Sequence, residues 1–88
     1  MAQVYPAEIL VKAWDRTGLL RDITIILANE KVNVIAVNTT TNKHENLASI
    51  RINLEVSGLE ALGQILSKIN QLPNVVEVQR LRQAKTTH

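Results

Sequence analysis

The sequence predicts an α+β fold in which two helices cover one face of a four-stranded antiparallel sheet. Four segments have the alternation or the β-branched content of strands, and two have apolar residues at helical spacing. These six segments follow one another in the order β-α-β-β-α-β. The chain has 88 residues, enough for one domain with a modest core, and no cysteine for a disulfide or a cysteine metal site.

The first half of the chain predicts a strand, a turn and a helix. Residues 7–14 alternate between an apolar face and a mixed face. Asp15 and Gly18 are turn and cap residues, so a helix is expected to begin just after them and to end near residues 29–31. The residues expected to face the core are Ile9, Val11 and Ala13 of the strand and Leu19, Leu20, Ile23, Ile26 and Leu27 of the helix.

The second half predicts two strands, a helix and a final strand. Residues 34–41 are β-branched and then polar on both faces, as at a sheet edge, and a turn at residues 43–46 leads to the clearest strand, residues 47–56. A second helix is stopped by Pro73, and residues 75–81 form the last strand. The core-facing residues are Ala48, Ile50, Ile52, Leu54 and Val56 of the third strand and Leu59, Leu62, Ile65, Leu66, Ile69 and Leu72 of the helix.

This element order predicts a ferredoxin-like βαββαβ sandwich with sheet order 4-1-3-2. Right-handed crossovers place both helices on one face, so strands 2 and 4 become edges. We expect one domain over residues 7–82, with residues 1–6 as a start or linker and residues 83–88 as a flexible tail. The face left without helices carries Leu10, Lys12, Trp14, Arg51 and Asn53.

Composition points away from several classes of protein. The net charge is +2 and the Lys and Arg residues are dispersed, which is weak evidence for an anionic partner. No apolar run is long enough to cross a membrane and no signal peptide is recognisable, so the cytoplasm is the expected location. His44 and His88 have no nearby acid at triad or metal spacing, and we expect no metal, no cofactor and no catalytic residue.

The turn at residues 15–20 is the one candidate site. A strand ends there, Gly18 permits close backbone approach, and a helix N-terminus can bind a carboxylate or phosphate. The simpler interpretation is that Asp15 caps the helix and Gly18 makes the turn. A phosphohydrolase of the acylphosphatase type would need a glycine-rich cradle that is absent, although Arg16 and Arg21 could each bind an anion.

Residues 13–23, with the sequence AWDRTGLLRDI, resemble the D-R-x-G-L-L-x-D-(I/V) signature of ACT domains. Residues 29–34, NEKVNV, resemble the N-E-x-x-N-(V/I) entry to their second strand. The subgroup most similar in pattern is the C-terminal ACT domain of the RelA/SpoT family, the long (p)ppGpp synthetases and hydrolases of the stringent response. There the pattern continues as in residues 37–43 and 69–80, so the resemblance covers nearly the whole chain.

The resemblance implies a regulatory module rather than an enzyme. The parent protein would be a GTP pyrophosphokinase, which transfers pyrophosphate from ATP to GTP or GDP, with or without hydrolysis of the product. The catalytic domains would precede this segment. Two alternatives stay open: a free-standing acylphosphatase-like hydrolase, and a purely structural dimerisation module.

The resemblance also implies partners and site residues. ACT domains commonly dimerise and bind amino acids at the interface, although the bulk of the two leucines after the conserved glycine could close such a pocket. The stringent-response subgroup also implies contacts with ribosomal RNA and with other domains of the parent. By position, the amino-acid site would use Asp15, Arg16, Gly18, Leu19 and Leu20 with Asn33 and Val34 of a second copy, and the RNA contacts would be Lys12, Arg51, Arg80 and Arg82.

Overall fold

The computed structural model describes residues 3–81, and they form the six elements in the predicted order. The sheet order is β2-β3-β1-β4, which is the predicted order 4-1-3-2 viewed from the other side, and every neighbouring pair is antiparallel. The predicted ferredoxin-like class is therefore confirmed. The elements are β1 Tyr5–Trp14, α1 Leu19–Asn29, β2 Asn33–Asn42, β3 Leu47–Val56, α2 Leu59–Asn70 and β4 Val75–Leu81.

The core lies between the helices and the two central strands. Strand alternation places every second residue of β1 and β3 under the helices, and antiparallel register sets these residues opposite one another, as with Ile9 and Ile52. Both side chains are fully buried. The five core-facing residues predicted for β3 are all buried, so the alternation was sufficient to identify this face.

Each helix buries a narrower stripe than the sequence predicted. Leu20 is 44% exposed and Leu59 is 72% exposed, so their predicted core positions are wrong. Both residues lie at the margin of an apolar stripe, where a rotation of about 100° per residue turns them away from the sheet. The buried helical residues are Leu19, Ile23 and Leu27 of α1 and Leu62, Ile65 and Ile69 of α2.

Strands β1 and β2 also differ from the prediction in their bounds. β1 begins at Tyr5 rather than at residue 7, because Tyr5 is still paired with Val56 of β3. β2 extends over Asn33–Asn42 and bulges at Ile35, which lies between two paired residues and has no partner in β3. β2 is an edge strand, as predicted, and most of its side chains are exposed.

Candidate functional site

The end of β1 is fastened by backbone hydrogen bonds to two other turns. The Trp14 N–H donates to the carbonyl of Asn74 at 2.8 Å, and the Asp15 N–H donates to the carbonyl of Asn46 at 2.9 Å. Asn46 and Asn74 both have left-handed backbone, with φ of 59° and 74°, a conformation that Asn adopts more readily than most residues. The β1–α1 turn therefore has a fixed position relative to the β2–β3 and α2–β4 turns.

Gly18 is the N-cap residue of α1. Its φ of 86° is left-handed, and no side chain caps the helix, so the interpretation of Asp15 as the cap is wrong. The reason is geometric: the turn continues past Asp15, and the Leu19 N–H donates to the Arg16 carbonyl at 3.3 Å before the helix begins. The first-turn amides of Leu20 and Arg21 have no acceptor within the helix.

Arg16 is held by the protein itself. Its Nη2 donates to Oδ2 of Asp22 at 2.8 Å, and its Nε donates to the carbonyl of Pro73 at 3.4 Å. The side chain is 23% exposed. The hydrogen bond from Arg16 holds the pKa of Asp22 below its ordinary value. Burial opposes this effect, and the charges of Arg16 and Arg21 add to it.

A hollow of about 310 Å³ opens between this turn and the helix-facing side of β2 and β3. Five of the predicted site residues lie together around it, and four others join them. Of these four, Arg21 on α1 is predicted from the sequence only as a residue that could bind an anion, and the three on β2 and β3 are not predicted. The predicted strand alternation puts Ala48 and Ile50 of β3 on the helix-facing side of the sheet, but no local sequence pattern connects them to the β1–α1 turn. The predicted residues are Asp15, Arg16, Gly18, Leu19 and Leu20, and the others are Arg21, Thr39, Ala48 and Ile50.

Asn33 and Val34 do not reach this hollow within one chain. They lie at the opposite end of β2, where the Asn33 Nδ2 donates to Oε1 of Glu55 at 3.0 Å. Thr39 lines the hollow six residues further along the strand, which corresponds to about 20 Å. Within one chain, the predicted site residues therefore form two separate groups, one around the β1–α1 turn and the other at the far end of β2.

The predicted RNA-contact residues do not share one surface. Lys12 and Arg51 lie on the face without helices, where Lys12 is paired in register with Glu77 and the Nε of Arg51 is 3.3 Å from Oε2 of Glu8. Arg80 is opposite Ile9 and therefore points to the helix-covered side. Arg82 lies outside the described residues.

Two further classes of site are absent from the described residues. Across residues 3–81, no three His, Asp or Glu side chains are gathered closely enough to bind a metal ion. Neither of the two helices has the length and apolar content needed to cross a membrane.

Comparison with known proteins places the chain in a family. The family model described as ACT domain matches residues 1–80. The GTP pyrophosphokinase of Escherichia coli K12 is 48% identical over 77 residues, which is 88% of this chain and 10% of that protein. The bifunctional (p)ppGpp synthase/hydrolase RelA of Mycobacterium tuberculosis is 34% identical over 83 residues, 94% of this chain and 11% of that protein. The chain thus spans about a tenth of the length of these relatives.

Solved structures agree on the fold. The crystal structure of the ACT domain from GTP pyrophosphokinase of Chlorobium tepidum has a TM-score of 0.78 at 18% identity, covering 90% of this chain and all of that one. The acetolactate synthase small subunit of Thermotoga maritima has the same TM-score, 0.78, at 15% identity, covering 92% of this chain and 50% of that one. Because the family model matches residues 1–80, almost the whole chain, the chain belongs to the ACT domain family.

Proposed function

We propose that the chain is the regulatory domain of a cytoplasmic GTP pyrophosphokinase that controls (p)ppGpp synthesis in the stringent response. The support is the 48% identity to curated GTP pyrophosphokinases, of which this domain represents a tenth. Pyrophosphate transfer, and any hydrolysis of the product, would then take place elsewhere in the longer polypeptide. The domain itself would bind an effector and pass its state to the catalytic part.

The arrangement of Arg16 argues against the acylphosphatase-like alternative. Phosphate chemistry at this turn would use both arginines to hold the anion, and of the two only Arg21 is largely exposed. Arg16 is instead bound to Asp22 and to the Pro73 carbonyl. Asp15 adds a negative charge to the same hollow, and this charge would repel a phosphate.

The hollow beside the β1–α1 turn is the observation that carries the proposal of an amino-acid effector. It combines the carboxylate of Asp15, which could take an ammonium group, with first-turn amides of α1, which favour a carboxylate. Leu19 is 3% exposed, so most of its bulk belongs to the core rather than to the hollow. Both leucines line the hollow, and Leu20, at 44% exposure, is the more exposed of the two.

A second copy of the chain would complete this site. β2 has a free edge with Val34, Ile35 and Val37 exposed, and a β-strand edge can pair with another strand. Antiparallel pairing of two β2 strands about an axis near Ala36 would bring Asn33 of the second copy beside Thr39. This pairing would join the two ends of the site that lie apart in one chain.

Thermal unfolding with each of the twenty amino acids tests this proposal. An effector that binds the folded dimer should raise the melting temperature as its concentration rises, and it should increase the dimer fraction in sedimentation. A dimer that responds to no amino acid would favour the purely structural dimerisation module. A monomer without any response would contradict both.

Ribosomal RNA is a second candidate partner, and the face without helices is the surface for it. Trp14, 48% exposed, lies on that face with Lys12 and Arg51. Glu8 and Glu77 lie opposite these cations, so few phosphates could be neutralised. We expect the affinity for RNA to fall only weakly with salt. The logarithm of the binding constant should change with the logarithm of the salt concentration by about −1 per phosphate contacted, and Lys12→Ala should make this slope smaller.

A further inference from the structure

Two arginines frame the β1–α1 turn, and the structure gives them different environments. The side chain of Arg16 is 23% exposed and the side chain of Arg21 is 76% exposed. Both approach the same carboxylate: Asp22 Oδ2 is 2.8 Å from Arg16 Nη2, and Asp22 Oδ1 is 3.6 Å from Arg21 Nη2. The first distance is a hydrogen bond and the second is only a loose ion pair.

The donors of Arg16 are directed at groups of its own chain. Nη2 donates to Asp22, Nε donates to the Pro73 carbonyl at 3.4 Å, and Nη1 donates to the Thr17 carbonyl at 3.3 Å. The Pro73 contact adds to the neighbouring bond from the Trp14 N–H to the Asn74 carbonyl. Arg16 therefore joins the β1–α1 turn to the α2–β4 turn, and little of its guanidinium is left for a ligand.

Arg21 is placed in the opposite way. Its guanidinium lies over Gly18, where Nη2 is 3.5 Å from the position that a Cβ would occupy, and it lines the hollow. The Asp22 carboxylate lies 3.6 Å from Arg21 and is already bound to Arg16, so the donors of Arg21 remain available. The hollow thus has a cation at Arg21 and an anion at Asp15, which is the charge pattern that a zwitterion requires.

We propose that the two arginines have separate roles: Arg21 binds the carboxylate of the amino-acid effector, and Arg16 is a positioning residue that holds the turn in its binding shape. This inference rests on the proposed function, since it assigns the contacts of the same effector. It replaces the sequence-based expectation that Arg16 contacts the ligand. Arg21 becomes the residue whose side chain selects for a free carboxylate.

The test for Arg21 compares free L-amino acids with their α-carboxamides, which lack the carboxylate. For each amino acid that binds, the dissociation constant of the amide divided by that of the acid is measured in the wild-type chain, in Arg21→Met and in Arg16→Met. In the wild type this ratio should be about three to ten. It should fall to about one in Arg21→Met and stay at the wild-type value in Arg16→Met. An unchanged ratio in Arg21→Met would overturn the role of Arg21.

The test for Arg16 needs no ligand. Amide hydrogen exchange of the free protein should become faster at Trp14 and Asp15 in Arg16→Met, while the core amide of Ile52 keeps its rate. Arg21→Met is the matched control and should leave all three rates unchanged. If Arg16→Met does not fold, Asp22→Asn loosens the same pair and should give the same local acceleration. Equal acceleration at Ile52, or none at the turn, would show that Arg16 does not position it.

The two tests separate this inference from the proposed function. A wild-type chain that binds none of the twenty amino acids would overturn the effector and, with it, the role of Arg21. Hydrogen exchange would still decide the role of Arg16. If the wild-type chain binds amino acids but Arg21→Met leaves the ratio of the amide and acid dissociation constants unchanged, only the carboxylate contact is overturned.

Discussion

Gly18 shapes the β1–α1 turn through its backbone rather than through the space around it. A Cβ built on Gly18 would lie 3.5 Å from the nearest atom, Arg21 Nη2, which is an ordinary contact. The φ of 86°, however, lies in the region that residues with a side chain resist. The constraint on this position is therefore conformational.

Replacing Gly18 by Ala should lower the free energy of unfolding by about 1–2 kcal/mol, because the alanine must adopt left-handed backbone. Urea denaturation measures the change. Gly63→Ala in α2 is the matched control: it meets no atom within 4 Å and should raise the free energy of unfolding by about 0.5–1 kcal/mol. Equal effects of the two substitutions would contradict this account of the turn.

Arg16 and Asp22 make the stability of the turn depend on pH. The pKa of Asp22 is lowered in the folded chain, chiefly by the hydrogen bond from Arg16. A lowered pKa means that the carboxylate stabilises the fold above its ordinary titration range, near pH 4, and that this contribution is lost as the pH falls below it.

Arg16→Met should therefore raise the pKa of Asp22 towards its ordinary value and remove this part of the acid sensitivity of folding. The carboxyl ¹³C shift of Asp22, followed through a pH titration, measures the change directly. Arg21→Met should produce a smaller rise, because its guanidinium is further from the carboxylate. A larger rise in Arg21→Met than in Arg16→Met would reverse the assignment of the main partner.

At the scale of elements, the two edges of the sheet are not equivalent. β2 has ten residues, an exposed bulge residue at Ile35 and exposed valines on either side of it. β4 has seven residues and one large exposed apolar side chain, Val76, where its pairing with β1 shifts register. The longer edge with more exposed apolar surface is the better candidate for pairing with a second copy.

Ile35→Lys should thus weaken self-association, because a charge at the edge must be desolvated when two β2 strands pair. Sedimentation equilibrium over a concentration series measures the dimer fraction. Val76→Lys, at 54% exposure on the other edge, is the control and should leave association unchanged. If Val76→Lys dissociates the dimer and Ile35→Lys does not, the interface lies at β4.

The elements also show what could be predicted from sequence and what could not. The strict alternation of β3 identified all of its buried residues, because a strand has only two faces. Leu20 was misplaced, since a helix has no such sharp division and its stripe can be displaced by one residue. The face of Arg80 depends on where the bulge lies between β1 and β4, which is a property of the pair and not of either strand.

At the scale of the whole molecule, the site is assembled from contacts that no single segment encodes. Nothing in the residues around Asn46 and Asn74 indicates that their carbonyls receive the amides at the end of β1. The motif around Gly18 located the hollow, but the partners on β2 and β3 came only with the sheet order. Asn33 lies far from the hollow in one chain, so the two can belong to one site only when a second copy supplies Asn33.

The proposed amino-acid site joins the turn around Gly18 to Asn33 of a second copy. It can be tested by an amide NMR titration with the twenty amino acids, one at a time. We expect saturable shifts at Gly18, Leu19 and Asn33 that fit a single dissociation constant and disappear in Gly18→Val. Shifts at the turn without any at Asn33 would contradict the shared site, and no shifts with any amino acid would contradict the effector itself.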